Sequence, residues 1–416
     1  MSLKLFESKK GWVVFIGICL VVFSLMGWIR YQNFLTYLGS KNLNAKVLAQ
    51  YIKGNKWVLK LMTTQGQIIY TTSKEDLKDL TFREVSLYGK SASCDFLQSL
   101  KSCFFITYSF SLLPTSPTPF LSWVASQHSD ILLTRLYQSL FFASDLPFPW
   151  REWSSKLHIS HLFAISGLHL GILAWMLYIV FGKPYSFLQA RYFTYRNKTF
   201  DIGIVVVFSL FVYACILDFP PAYVRAFVMS ALGLLFLWSH IKILSFSFLF
   251  LCICVILALF PQFTTNFGFW FSVSGVYFIL LFFKYFHTQG KGIYKVLLIA
   301  LALNSALFFQ MLPISHCVFP TFSIYSLFAI GLSLVFPLFF ILSLLAHFLG
   351  VGEIFDEGLK WGLNLSLPSE DFFTPWWVIY PYLLFCILAL KYRWSYYATL
   401  GIGGVFYVFL VLKILR

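Results

Sequence analysis

Apolar runs of roughly twenty residues recur along the chain, and nothing else in it limits the fold so severely. About 20 helical residues at roughly 1.5 Å each cross a hydrocarbon core of about 30 Å. Such runs lie at Leu157–Phe181, Phe200–Leu217, Ala222–Trp238, Ile243–Phe260, Phe267–Phe286, Tyr294–Leu312, Trp376–Leu390 and Tyr396–Leu412. A composition that is 59% hydrophobic and only 11% charged holds more apolar surface than a soluble core of ordinary proportions can hide. The chain therefore reads as a polytopic α-helical membrane protein.

An earlier run, Gly11–Ile29, follows Lys4, Lys9 and Lys10. The basic flank keeps the N-terminus cytoplasmic, and the absence of a nearby small-x-small cleavage site makes residues 1–40 a retained signal anchor. The next segment, 41–112, changes to alternating polar and β-favouring residues. Lys56–Met62 and Gln67–Thr72 flank a Thr63-Thr-Gln-Gly turn, and further strands suit Ala45–Lys53, Glu84–Gly89 and Cys103–Ser109. That pattern predicts a small extracytoplasmic all-β barrel of about five strands. In 113–156, Pro114, Pro117 and Pro119 precede Phe120–Phe142, where Gln127, His128, Asp130, Arg135 and Gln138 interrupt apolar residues; this predicts an amphipathic interfacial segment.

Residues 157–416 form the multi-span domain. Loops carrying Lys183, Arg191, Arg196 and Lys198, then Lys284, Lys291 and Lys295, belong in the cytoplasm. Phe319–Leu349 is long for one straight span and holds Pro337 near its middle, which predicts a re-entrant pair of half-helices, or else two tight spans. The acidic loop after it, with Glu353, Asp356, Glu357, Glu370 and Asp371, belongs outside. Across the whole chain, 31 basic residues against 16 acidic ones leave +15. Some of this excess serves cytoplasmic loops facing anionic lipid, and the remainder fits a polyanionic partner.

The segment His161-Leu-Phe-Ala-Ile-Ser-Gly-Leu-His-Leu closely resembles the hallmark of the bacterial competence DNA-uptake channel family (ComEC type). Other blocks recur in order: Ser144-Asp145, Pro221-Ala-Tyr-Val-Arg-Ala-Phe-Val-Met, Pro261, Phe267-Gly-Phe-Trp-Phe-Ser and Phe319-Pro-Thr-Phe-Ser-Ile-Tyr-Ser. The asparagine expected after the last block is replaced by Gly331 or a neighbour. The resemblance covers nearly the whole chain. It implies a channel that translocates single-stranded DNA across the bacterial cytoplasmic (inner) membrane during natural transformation, with the β segment as an OB-like domain. It also implies a cytoplasmic motor or strand-binding protein and an extracytoplasmic DNA receptor as partners. Larger relatives carry a C-terminal metallo-β-lactamase-like nuclease domain. No His-x-His pair with a following Asp and His occurs here, so a short, non-enzymatic member is expected, any strand degradation falling to a separate nuclease. Gly89-Lys90-Ser91 has Glu84 where a nucleotide-binding loop needs its first glycine, so no Walker-type site is expected.

Candidate pore residues are His158, His161, Ser166, Gly167, His169, Arg225 and Asp145. The three histidines admit three readings: metal ligands, a polar patch buried between helices, or pore lining. Ser166 near histidines also admits an intramembrane hydrolase, although Ala164 stands two residues before it where a glycine is usual. Arg225, one turn into a span, needs water, phosphate, or a partner such as Asp218 or Asp145. A small-solute exporter is a further alternative, disfavoured by the barrel. Within 41–101, ten basic and five acidic residues give +5, and Lys53, Lys56, Trp57, Lys60, Tyr70, Tyr88 and Lys90 suit sequence-tolerant binding of single strands. Cys94 and Cys103 are expected to form a disulfide in that extracytoplasmic segment, free thiols being the alternative. No cofactor or metal is expected.

Overall fold

A computed structural model describes residues 9–54, 56–73, 80–81, 83–113, 119–217, 219, 221–238, 245–286 and 292–415. The chain divides into two compact units, one of residues 6–123 with 251–267, the other of residues 124–250 and 268–416 with the first five.

The smaller unit begins with α1 (Lys9–Gly39), followed by β1 (Asn42–Lys53), β2 (Lys56–Thr63), β3 (Ile68–Ser73), β4 (Glu84–Ser91), the single turn α2 (Phe96–Ser99) and β5 (Cys103–Leu112). The strands close a barrel in the order β1-β2-β3-β5-β4. Every neighbouring pair is antiparallel except β3 with β5. The period-2 pattern carries Val47, Leu59, Leu61, Ile69, Val85, Leu87 and Phe105 inward. Phe34 and Tyr37, from the end of α1, complete that core. The β2–β3 turn places Gly66 at φ +74, where a Cβ would be strained. In β4, Gly89 follows a register shift, and a Cβ there would meet the Ile106 carbonyl oxygen at 2.0 Å. Cys94 and Cys103 are joined by a disulfide, with Cα atoms 5.8 Å apart.

Next come α3 (Pro119–Ala125), α4 (Ile131–Phe142), α5 (Phe148–Lys156), α6 (Ser160–Phe163), α7 (Gly167–Tyr192), α8 (Lys198–Ile216), α9 (Pro221–Trp238), α10 (Phe246–Leu259) and α11 (Phe267–Tyr285). The chain ends with α12 (Ile293–Ser315), β6 (Thr321–Phe322), α13 (Phe328–Phe348), α14 (Asp356–Leu363), β7 (Glu370–Asp371), α15 (Trp376–Leu388) and α16 (Arg393–Ile414). Among the described residues, seven helices are long and apolar enough to cross a membrane, α1, α7, α8, α11, α12, α13 and α16, as a multi-pass membrane protein requires. The expected spans at α9, α10 and α15 are shorter, at 18, 14 and 13 residues.

In the larger unit α7, α8 and α9 share one core around Leu170, Ile202, Leu210 and Tyr223. A second core joins α11, α12, α15 and α16 through Phe278, Leu281, Ile379, Tyr382 and Tyr396. Helix α13 packs on both α7 and α12. Against α12, Gly403 of α16 lies so close that a Cβ would stand 2.0 Å from the Phe309 carbonyl oxygen.

Two expectations need correction. The helix expected from Leu157 starts at Gly167, after α6 and an extended Ala164–Ser166 stretch. Phe319–Leu349 contains no pair of half-helices: α13 is one continuous helix through Pro337, which forfeits one hydrogen bond to the Ser333 carbonyl. Phe120–Phe142 holds two helices, α3 and α4. Asp130 accepts from the Leu132 amide to start α4 afresh, and seven of the 12 residues of α4 are buried.

Pairings across the unit group its polar ends. Lys284 donates to the Leu390 carbonyl and Tyr285 to that of Ala389, gathering the ends of α11 and α15. Lys413 pairs with Glu370 at 3.8 Å, putting the end of α16 beside the acidic loop.

Candidate functional site

Between α7, α8, α9, α10 and α11 lies a cavity of about 490 Å³, within the size range of ligand-holding cavities. Its wall is built from small residues, Gly167, Ala174, Gly203, Ala226 and Gly233, which hold the helices close without filling the space. Three hydroxyls, Ser230, Ser245 and Ser272, face the same space. Arg225 is the only charged side chain among the described residues lining it. The arginine is only 5% exposed, and its Nη1 donates to the Gly268 carbonyl at 2.6 Å. That bond uses one of five guanidinium donors. A cation in a cavity otherwise lined by apolar and hydroxyl groups is an anion-attracting point, strengthened by the low local dielectric. Asp218, one candidate partner for it, lies outside the described residues. Asp145 is half-buried in the turn after α4.

Gly167 and Arg225 thus share one wall; the histidines do not gather there. Ser166 caps α7 through the Leu168 amide at 3.3 Å, and its own N–H donates to His169 Nδ1 at 3.2 Å, a reciprocal capping arrangement. His169 is buried against Phe336 and Phe340 of α13, with ring centroids 5.1 and 4.8 Å away. Ser166 Oγ also lies 3.2 Å from His169 Nδ1, a distance compatible with a nucleophile and its base. A hydrolase would also need a third group orienting the imidazole, and among the described residues no side chain hydrogen-bonds His169 Nε2. The pair works as a helix cap.

His158 points elsewhere, its ring 5.0 Å from that of His316, which in turn hydrogen-bonds the Phe372 carbonyl at 3.0 Å. Burial first, then the neighbouring His316 and His161, pushes His158 down to about 3, so it is neutral throughout the physiological range. His161 is exposed and is not among the residues lining the cavity. Among the described residues no group of three His, Cys, Asp or Glu side chains is placed to hold a metal ion.

On the barrel, the register sorts the expected binding residues. Lys60 stands opposite Tyr70, and Lys53 opposite Lys56, so these four share the outer face of β1–β2–β3. Trp57 has the opposite parity and lies at the barrel end between Ile52 and Ser73. Tyr88 and Lys90 belong to the β4–β5 wall, where Tyr88 meets Tyr108 at 6.3 Å. Lys74, Glu75, Asp76, Lys78 and Asp79, counted in the charge balance, lie outside the described residues.

Sequence reasoning missed a second polar cluster, in which His128, His347 and Asp356 meet through hydrogen bonds of 2.9 and 3.0 Å. Polar residues interrupting Phe120–Phe142 and a histidine inside an apolar run were the available signals.

A family model described as Competence protein matches residues 140–403, well over half of the chain and all of the helices lining the cavity. No curated protein and no solved structure matched the chain.

Proposed function

Because the chain belongs to the competence protein family, whose role is in DNA uptake, we propose that it forms a channel passing single-stranded DNA across the bacterial cytoplasmic membrane. The observation that carries this reading is Arg225, held in a cavity among membrane helices whose remaining wall is small, apolar and hydroxylic. A passing strand brings one negative charge per nucleotide, and an isolated charge in hydrocarbon costs tens of kcal/mol by Born solvation. One guanidinium, supported by serine hydroxyls, offsets some of that cost at a point where phosphates pass in turn. A dense cluster of cations would hold the strand, whereas conduction needs weak, repeated contacts.

The barrel supports the same reading. A closed five-stranded order of β1-β2-β3-β5-β4 is what an OB-like barrel has, and its β2–β3 face is where such barrels take single strands. Here that face carries Lys53, Lys56, Lys60 and Tyr70, combining charge with a stacking ring. In this proposal the barrel is extracytoplasmic and the N-terminus cytoplasmic. A DNA receptor hands over the strand outside, and a cytoplasmic motor or strand-binding protein draws it in.

Arg225→Leu removes the charge at similar volume, and Gly167→Leu fills the cavity. Each should lower entry of labelled DNA into the cytoplasm by at least tenfold, the lower end of what a charged hydrogen bond is worth. Arg225→Lys should retain some of the activity. If Arg225→Leu reaches the membrane at wild-type level and DNA enters at the wild-type rate, the cavity is not the path.

A further inference from the structure

Away from the cavity, three buried titratable side chains form a continuous hydrogen-bonded line. His128 lies in the turn before α4 with its side chain fully buried. Its Nδ1 is 2.9 Å from Asp356 Oδ2, at the start of α14, and its Nε2 is 3.0 Å from Nε2 of the buried His347, in the last turn of α13. His347 Nδ1 is in turn 2.8 Å from the Ser343 carbonyl oxygen.

These contacts fix where the protons are. A carbonyl oxygen only accepts, so His347 Nδ1 carries a hydrogen, and Nε2 of the neutral ring is then an acceptor. The 3.0 Å contact therefore requires His128 Nε2 to be the donor. With Nε2 protonated, His128 Nδ1 either donates to an ionised Asp356 or accepts from a protonated one. In both cases the Asp356–His128 pair holds one proton more than a neutral imidazole beside a carboxylate.

Nothing else facing His128 supplies that proton. Tyr137 of α4 stacks on the ring at 4.4 Å and 8°, and among the described hydrogen bonds its hydroxyl makes none to His128. Beyond Asp356, Lys360 of α14 is engaged with Asp130 at 3.6 Å, and Glu353 and Glu357 are exposed. The neighbouring backbone is clasped from both sides: Gln127 Nε2 donates to the His347 carbonyl at 3.1 Å, and the Gly352 amide donates to Gln127 Oε1 at 3.0 Å.

We propose that Asp356, His128 and His347 form a proton-binding site, holding one proton between Asp356 and His128, whose occupancy latches the turn before α4 onto the end of α13. Loss of the proton leaves His128 Nδ1–H on the Asp356 carboxylate and turns its Nε2 lone pair toward that of His347. Two acceptors 3.0 Å apart repel, and His347 can become a donor there only by giving up Ser343. The latch loosens as pH rises. This inference is independent of the path taken by DNA.

The test is hydrogen exchange of the backbone amides at Gly350, Val351 and Gly352 in the full chain in nanodiscs, corrected for intrinsic exchange. Each opening releases the shared proton to solvent once the pH is alkaline enough for the open form not to hold it. Wild-type protection should then fall as pH rises, by up to tenfold per pH unit. Asp356→Asn can turn its amide N–H toward His128 Nδ1 and supply that hydrogen without storing a proton, so its protection should not depend on pH. His347→Phe, which fits the aromatic surroundings of Tyr137 and Phe141, should be pH-independent and serves if Asp356→Asn does not fold. A flat wild-type profile overturns the proposal, as does a pH dependence that survives in His347→Phe.

Discussion

Gly403→Ala is the smallest change that should force a pair of packed helices apart. The new Cβ would lie 2.0 Å from the Phe309 carbonyl oxygen and 2.7 Å from its carbon, both backbone atoms that cannot rotate aside. Real Cβ contacts do not fall below 3.0 Å, so α16 and α12 must separate by at least 1.0 Å, the difference between 3.0 and 2.0. That displacement lengthens the buried bond from Gln310 Nε2 to Thr399 Oγ1, now 2.9 Å, beyond useful range. Overpacking costs about 1–3 kcal/mol and a broken buried hydrogen bond about 1–3 more, together about 2–6 kcal/mol. Gly401 and Gly404 have nothing within 4 Å of the corresponding position, and alanine there should stabilise by up to about 1 kcal/mol through helix propensity. Helix loss followed by circular dichroism along an SDS titration in mixed micelles should separate the three variants, with Gly403→Ala unfolding earliest. Equal midpoints for Gly403→Ala and Gly404→Ala would refute the close contact.

Two further outcomes are expected. Reducing the Cys94–Cys103 bond, with a sequence separation of 9, should destabilise the barrel by about 2.5 kcal/mol on the chain-entropy model, raising its proteolysis roughly seventyfold; cleavage indifferent to reductant would contradict this. His158 is held near 3 in the folded chain against about 6.5 when unfolded, so only the unfolded chain takes up its proton between those values. Stability therefore falls as pH drops below about 6.5, by up to tenfold per unit in the unfolding constant. His158→Asn, which tolerates the φ of +55 at this position, should make the acid slope shallower by about one proton, and an unchanged slope would place the uptake elsewhere.

The barrel was legible because alternation and a turn glycine are local signals: the hairpin around Thr63–Gln67 and all five strands lie where the pattern placed them, with edges off by a few residues. Its closure was not, since the parallel pairing of Ile69 with Cys103 and Tyr70 with Phe104 joins strands separated by β4. Apolar length located the long helices but misread Phe319–Leu349, because Pro337 was weighed as a break although it removes a single hydrogen bond. Gly167 and Arg225 could be singled out one at a time, and their common cavity could not. The His128 cluster joins positions more than 200 residues apart, and no periodicity records such a meeting.

Phe34 and Tyr37 lie near the end of the anchoring helix and also inside the barrel core. The barrel is thus not a bead on a tether: cutting before residue 40 would strip two aromatic side chains from its interior. A soluble fragment beginning at Lys41 should fold poorly, whereas one that retains the last two turns of the helix keeps its plug. The same joint makes α1 a stiff mast, so that any tilt of the anchor in the bilayer turns the barrel with it.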